Sequence, residues 1–592
     1  MNCLRPLLIL LLLIALVACS ATPDPTPPSA PSPTPTLPPP TATLAPATLP
    51  VSTSTPTPTP SPEPAAPAPR DPLFDPQRIS YAHGVTTGDI QALLEARGSS
   101  LATVRFQIGD RSHSFAETLI NLSSLYSLNP LLLLTFMDVQ SGLVSGGQGS
   151  PEQLAWAMGY RGGGGARQGL YSQLRWAALE MRFALRDYAL KGAAAPPPLI
   201  FADDTRQTVN AEISFSRYIL ARVVAPTTTP DLLGVRMESV VNSYARLFGD
   251  PREPPSDWPP LAEPFLTRPM ERNFPVTSFF DHDAPLLRPN GHIKTFWGRA
   301  ETDRAFAYDG HTGWDYGMGP PERILAAADG LVIFAGNSDD GCATPARAVI
   351  IDHGNGYRTL YWHLDSLAVT TGQEVARGDI LGVAGDSGCA FGAHLHLQVQ
   401  YLGRDVDPYG WCGRDADPWA MNPAGQVSIW LWADMPSPCA PHPPDLIIVD
   451  ENDPGFMMAG AWQEHPIGYA GASHFAPVSF AGSSAQPYRT ANLQAPLVAA
   501  WRPTLPHAGR YQIMAYIPYA LNGLDESRHV RYLIRHAEGT SLVEINGERE
   551  RNWWADLGEY ELDPETALVS VSTLAGDNRL GVWVDAVVFV ER

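Results

Sequence analysis

Proline most limits what this chain can fold into, because it has no amide hydrogen to give a helix or a sheet ladder. The chain holds 59 prolines in 592 residues, and many of them are gathered in three stretches. Residues 20–74 are rich in Pro, Thr, Ser and Ala, as in PTPTLPPPTATLAPATLPVSTSTPTPTPSPEP. Such a segment cannot bury a core and is expected to be a disordered, extended spacer. DPREPPSDWPPLAEP (250–264) and MPSPCAPHPPD (435–445) mark the two stretches read as linkers, 251–275 and 426–444. Three segments able to fold remain, at 75–250, 276–425 and 445–592. The chain is indeed too long for a single domain.

The N-terminus reads MNCLRPLLILLLLIALVACS. Arg5 precedes an apolar run from Leu7 to Val17, which is shorter than the ~20 residues a transmembrane helix needs and fits a signal peptide over residues 1–19. Leu16-Val17-Ala18-Cys19 resembles a bacterial lipobox, which implies lipidation at Cys19 and an extracytoplasmic chain anchored to the membrane. The formal net charge is −21 and no basic patch stands out, which argues against a nucleic-acid partner. Cys342, Cys389, Cys412 and Cys439 remain for an oxidising compartment. Four cysteines allow three pairings. Cys342–Cys389 and Cys412–Cys439 each close a loop of moderate length and are the expected bridges. None shows a CxxC spacing, so a structural zinc site is not expected.

Residues 75–250 carry helical periodicity. SFAETLINLSSLYSLNPLLLLTFMDVQSGLV gives two apolar segments broken at Asn129-Pro130, and QGLYSQLRWAALEMRFALRDYAL gives another. NPLLLLTFMDVQSG and QLAWAMGY resemble the lysozyme-like fold of lytic transglycosylases. In that family a catalytic Glu precedes the Ser of an ESG-like motif, whereas this chain has Gln140. An amide cannot deliver a proton as a carboxylic acid does, so a non-catalytic glycan-binding or structural domain is expected.

Residues 276–425 alternate glycine turns with short apolar strands, in RILAAADGLVIFAG, ARAVIIDHGNGYRTLYWHL and EVARGDILGVAG, a β-dominated pattern. Within it lie His311 and Asp315 (HTGWD), His363 (YWHL), and His394 and His396 (HLH). On a strand, residues i and i+2 share a face, so His394 and His396 look into the same space. A mononuclear zinc hydrolase needs three protein ligands, an open position for water, a base beside that water and a donor for the oxyanion. These five residues fill that inventory. His353 precedes Gly-Asn-Gly, a turn signal, and reads as structural. Asp365 reads as a turn residue.

HTGWD, YWHL and HLH, in that order across residues 290–402, resemble the lysostaphin/LytM-type zinc endopeptidases that cleave peptidoglycan peptides. The resemblance implies an antiparallel β-groove (a duplicated hybrid motif) holding one Zn2+. By carry-over of the motif, His311, Asp315 and His396 are its ligands, and His363 and His394 are the catalytic histidines beside the bound water. Relatives that activate other hydrolases typically lack one or more of these positions, and this chain has all of them.

Residues 445–592 are strand-like and aromatic. Asp450, Gly455-Phe456, Trp462, Trp501, Gly509, Tyr511, Trp554, Leu557-Gly558 and Asp585-Ala586 resemble the golvesin/Xly-type carbohydrate-binding-like β-sandwich, which implies glycan binding. The chain as a whole is therefore expected to be a multidomain, lipid-anchored cell-envelope zinc metalloendopeptidase whose partner is peptidoglycan. The alternative is a non-enzymatic peptidoglycan-binding protein or an activator of another wall hydrolase.

Overall fold

A computed structural model describes residues 73–592 except 256–257, 284–291, 302–309, 340, 423–424, 441–445, 479–495 and 575–579. The signal sequence, Cys19 and nearly all of the 20–74 spacer lie outside the described residues.

The N-terminal region is helical: α1 (Thr87–Ala96), α2 (Phe115–Leu125), α3 (Pro130–Ser141), α4 (Leu170–Leu190), α5 (Phe215–Val224) and α6 (Leu233–Phe248). Local chemistry sets the ends. Thr86 with Asp89, and Ser114 with Glu117, form reciprocal capping boxes at α1 and α2, satisfying amides that a helix start leaves open. Asn129 caps α3 through its side chain and Pro130 takes the first helical position, where its missing donor costs nothing. That pair separates α2 from α3. Gly142, at φ 68°, ends α3, as glycine at a left-handed position does. Gln140 is on α3, its amide donating to Thr227 Oγ1 at 2.9 Å.

The next region is built on antiparallel strands: β1 (Val276–Ser278), β2 (Trp314–Tyr316), β3 (Arg323–Leu325), β4 (Gly330–Ser338), β5 (Ala346–Asp352), β6 (Tyr357–Trp362), β7 (Leu364–Leu367), β8 (Glu374–Val375), β9 (Ile380–Ala384), β10 (Leu395–Tyr401) and β11 (Arg404–Val406). The main sheet runs β8-β4-β5-β6-β10-β2-β1, with β11 also on β10, and a smaller sheet runs β7-β9-β3. Alternate residues of the central strands belong to different cores. Ile333, Ala348, Ile350, Leu360 and Trp362 pack with the helices. Val332, Val349, Ile351, Tyr361 and Val399 face the other core. The helices therefore cover part of one sheet face: Gln400 Nε2 on β10 donates to Ser124 O on α2 at 2.8 Å, and Asn121 Nδ2 to Ser338 Oγ at 2.9 Å.

The C-terminal region forms further antiparallel sheets. The proline-rich stretches between regions are docked rather than loose. Leu266, Met270 and Phe274 are buried, each stabilising by roughly 1.5–3 kcal/mol. Arg268 sits over the Trp553 ring at 4.2 Å. In the second stretch Leu431 O accepts from Phe265 and Leu266 N–H at 2.9 and 2.8 Å. Proline removes donors but does not prevent the apolar residues between prolines from packing. Among the described residues no single helix is long and apolar enough to cross a membrane. Cys342 is joined to Cys389 and Cys412 to Cys439.

Candidate metal centre

The sheet brings Asp315 and His396 together directly, because His396 on β10 is the register partner of Asp315 on β2 and of Trp362 on β6. Their side chains leave the same face at cross-strand distance. His311 precedes β2 and reaches the same spot. Its Nε2 is 2.9 Å from His396 Nδ1 and 3.2 Å from Asp315 Oδ1, and His396 Nδ1 is 3.0 Å from Asp315 Oδ1. Three ligand-type atoms thus form a compact triangle. Donors around a tetrahedral ion at ~2.0–2.1 Å would sit about 3.3 Å apart, so the triangle is close to the size of one face of such a shell. The donor set, two imidazoles and one carboxylate, suits zinc. Gly313 makes room for it: a Cβ there would lie 2.5 Å from Leu397 O and 2.9 Å from the His396 ring.

The other two histidines stand alongside. The His363 ring is 4.6 Å from that of His394 and 6.1 Å from that of His396, centroid to centroid. His363 has φ 69°, a left-handed backbone that non-glycine residues adopt at a cost of order 1–3 kcal/mol and that clusters at functional sites. His394 precedes β10, its Nε2 3.8 Å from Asp315 Oδ1.

Backbone carbonyls set the ring orientations. His311 Nδ1 contacts Phe279 O at 2.7 Å, His363 Nδ1 contacts Ser387 O at 2.7 Å, and His394 Nδ1 contacts Gly392 O at 2.8 Å. A carbonyl only accepts, so each Nδ1 carries the proton and, in the neutral ring, Nε2 carries the lone pair. These carbonyls were not legible in the sequence, since a main-chain acceptor leaves no residue-type signal.

Burial and charge act together here. Burial alone would lower His311, but the charge and hydrogen bond of Asp315 and the Phe279 carbonyl raise it above the ordinary imidazole value. Burial would raise Asp315, and the two histidines hold it well below the carboxylate range instead. Burial pushes His396 down. Burial, then the charges of His396 and His394, bring His363 down to about 4, so its ring is neutral near pH 7.

Beneath the site is a network the sequence reading missed. His282, fully buried, lies between Asp407 (Nε2 to Oδ2, 3.0 Å) and Asp417 (Nδ1 to Oδ1, 2.9 Å). Asp407 Oδ1 accepts from Trp314 Nε1 at 2.9 Å, and Trp314 adjoins Asp315. The partners of His282 lie 125 and 135 residues away in the chain, so no local pattern marks this network. His353 has a structural role: its ring nitrogens meet Asp329 O at 2.7 Å and Thr359 Oγ1 at 2.9 Å. Asp365 is exposed on β7. A small cleft of about 90 Å³ beside the triangle is lined by Thr277, Ser278, Asp315, Gly317, Phe391 and His394, among others.

Such a donor set on an antiparallel sheet could hold a metal ion. Comparison with known proteins gives further likenesses: residues 309–408 match the Peptidase family M23 model. Residues 72–260 match the LasA N-terminal domain, and residues 447–591 match the Golvesin C-terminal domain. Peptidoglycan DD-endopeptidase ShyA of Vibrio cholerae serotype O1 is 35% identical over 97 residues, 16% of this chain and 22% of its own length. The murein hydrolase activator NlpD of Escherichia coli strain K12 is 33% identical over 99 residues, 17% of this chain and 25% of its own length. The catalytic domain of lysostaphin from Staphylococcus simulans, a solved structure, is 28% identical, with a TM-score of 0.15 and coverage of 17% of this chain and 76% of that one. The chain thus spans a quarter or less of the length of these two curated relatives.

Proposed function

We propose that this chain is a zinc metalloendopeptidase that hydrolyses peptide bonds in the stem peptides or cross-bridges of peptidoglycan. The observation that carries this reading is the triangle of His311 Nε2, Asp315 Oδ1 and His396 Nδ1, with edges of 2.9, 3.0 and 3.2 Å, flanked by two more histidines whose Nδ1 atoms are tied back to the main chain. His311, Asp315 and His396 would hold the ion. Bound there, zinc would supply a Lewis acid and lower the pKa of a water toward ~7.

The remaining work belongs to the protein's own side chains. His363 and His394 present Nε2 toward the place where the scissile amide would lie. One accepts the proton of the attacking water, which requires a neutral ring, and burial keeps His363 neutral. The other can donate to the carbonyl oxygen as charge develops on it only when its Nε2 also carries a proton, and the base passes the proton it took from water on to the leaving amine. Phe391, 72% exposed at the cleft, offers an apolar surface beside the substrate.

The names of the matched relatives, a peptidoglycan endopeptidase and a murein hydrolase activator, support a wall substrate and an extracytoplasmic location. We place the chain on the membrane through lipid at Cys19, with the helical domain non-catalytic and the C-terminal sheets, read as a carbohydrate-binding sandwich, holding glycan. Tethering raises local substrate concentration without new catalytic contacts.

Metal content and turnover of two variants test the division of labour. His396→Ala is expected to lose both zinc and activity, whereas His394→Ala keeps zinc and loses turnover. Equal zinc loss in both would refute the assigned roles. A wild-type chain that binds zinc and wall but cleaves no wall type would favour the activator reading.

A further inference from the structure

The two histidines beside the metal triangle take their orientation from one loop. Residues 385–394 join β9 to β10. Within them the Ser387 carbonyl accepts from His363 Nδ1 at 2.7 Å, and the Gly392 carbonyl accepts from His394 Nδ1 at 2.8 Å. Loops move more than the strands they connect. Carbonyls on a loose loop would let both rings turn, so what holds this loop matters for what the rings can do.

The loop is held at several points. Its ends meet, His394 N–H donating to Gly385 O at 3.0 Å. Gly385 is pressed against the chain just after His363, where a Cβ would lie 2.5 Å from Asp365 N. Ser387 Oγ accepts from Arg347 N–H on β5 at 2.8 Å and donates to Leu364 O on β7 at 2.7 Å. One hydroxyl thus uses its donor and an acceptor site together. Further along, Cys389 is bonded to Cys342 in the β4–β5 connection. That connection is anchored in turn: Tyr171 Oη on α4 and Gly341 N–H both donate to the Asp339 carboxylate, at 3.0 Å.

Ser387 stands out among these contacts because it grips His363 from two directions. Its carbonyl holds the imidazole, and its hydroxyl holds the main chain of Leu364, the next residue. His363 has a left-handed backbone, φ 69°, which a non-glycine residue keeps only when its surroundings enforce it. The triangle itself does not depend on the loop: His311 and Asp315 lie on or beside β2, and His396 lies within β10. Loosening the loop should therefore disturb the flanking rings and spare the metal.

We propose that Ser387 is a positioning residue for the peptidase reaction. Its hydroxyl, together with the Cys342–Cys389 bridge, fixes the loop so that the Ser387 and Gly392 carbonyls keep the Nε2 atoms of His363 and His394 turned toward the scissile amide. The effect on turnover rests on the hydrolase reading above; the effect on the His363 ring does not.

Ser387→Ala and Ser387→Thr are compared with the wild type in the full zinc-loaded chain. Three quantities are measured: zinc affinity by isothermal titration, steady-state cleavage of wall fragments, and the rate at which diethyl pyrocarbonate modifies His363, read by peptide mass spectrometry. Ser387→Ala is expected to keep its zinc affinity and to lose up to about 100-fold in kcat with KM little changed, the cost of misplacing a reacting group by ~1 Å. Its His363 should be modified severalfold faster, because the ring is no longer pinned. Ser387→Thr keeps the hydroxyl and should restore both. Cys342→Ser/Cys389→Ser, measured below its Tm, should shift kcat and labelling in the same direction as Ser387→Ala. Unchanged labelling in Ser387→Ala, a loss of zinc affinity that matches the loss of kcat, or Ser387→Thr behaving as Ser387→Ala would overturn the proposal. A wild type that cleaves no wall would count against the peptidase reading instead, and the labelling rates would still decide whether Ser387 holds His363.

Discussion

His282→Leu takes a buried cation from between two carboxylates. His282 and Asp407 are both fully buried, and Asp417 is 9% exposed. Burial alone would lower the imidazole, but the hydrogen bonds and charges of Asp407 and Asp417 raise it to about 9, so the ring is charged at neutral pH. Breaking a buried pair by removing one partner is unfavourable by roughly 3–5 kcal/mol. The lower end applies here, because Asp407 keeps the Trp314 indole and the Tyr409 amide as donors. About 3 kcal/mol, at roughly 2–4 °C per kcal/mol, lowers Tm by about 6–12 °C. Scanning calorimetry of the full chain reads this, with the peptidase transition identified by its upward shift on adding zinc. The pH dependence gives an independent check. A raised folded-state pKa contributes stability that is complete below the unfolded value of ~6.5 and is lost as pH rises through the folded value. The wild-type Tm should therefore fall between ~6.5 and about 9, and the variant should have a flatter profile. A variant Tm within about 2 °C of wild type, or an unchanged pH slope, would refute a charged His282 as the prop of this network.

Two further perturbations act on the packing of the metal triangle and on a disulfide. Gly313→Ala forces a methyl against Leu397 O and the His396 ring, so zinc affinity should fall about ten-fold or more with little change in secondary structure; isothermal titration with zinc and circular dichroism check both. Opening the Cys342–Cys389 bridge, which spans 47 residues, should lower stability by about 4 kcal/mol from loop entropy, read as a lower Tm in Cys342→Ser/Cys389→Ser.

Much of the candidate site was legible because its residue types recur at short spacings. His311 and Asp315 are four apart, His394 and His396 two apart, and strand alternation alone puts the last two on one face. The helix break at Asn129-Pro130 was equally plain, since a side-chain cap and a proline at the first helical position are local devices. What stayed hidden depends on long-range placement. The carbonyls of Phe279, Ser387 and Gly392 that orient three histidines have no residue-type signature. The His282 network joins positions more than a hundred residues apart. Asp450 and Asp585 were noticed as parts of a family-like pattern, but only the pairing of the strands Ile447–Val449 and Val587–Glu591 shows that they lie close together. The proline-rich connections misled in another way: composition identified where the chain changes character, but not that Leu266 and Leu431 would be buried there.

The central claim is that the triangle of His311, Asp315 and His396 serves peptide-bond hydrolysis in the wall. Purified peptidoglycan is incubated with the zinc-loaded chain, with the chain plus chelator, with zinc restored, and with His396→Ala, and the fragments are analysed by mass spectrometry for newly freed amines. The account predicts new amine ends with the zinc-loaded chain, their loss with chelator, their return with zinc, and none with His396→Ala. Amine release that persists in chelator or in His396→Ala, or none from any wall type with the zinc-loaded chain, would contradict it.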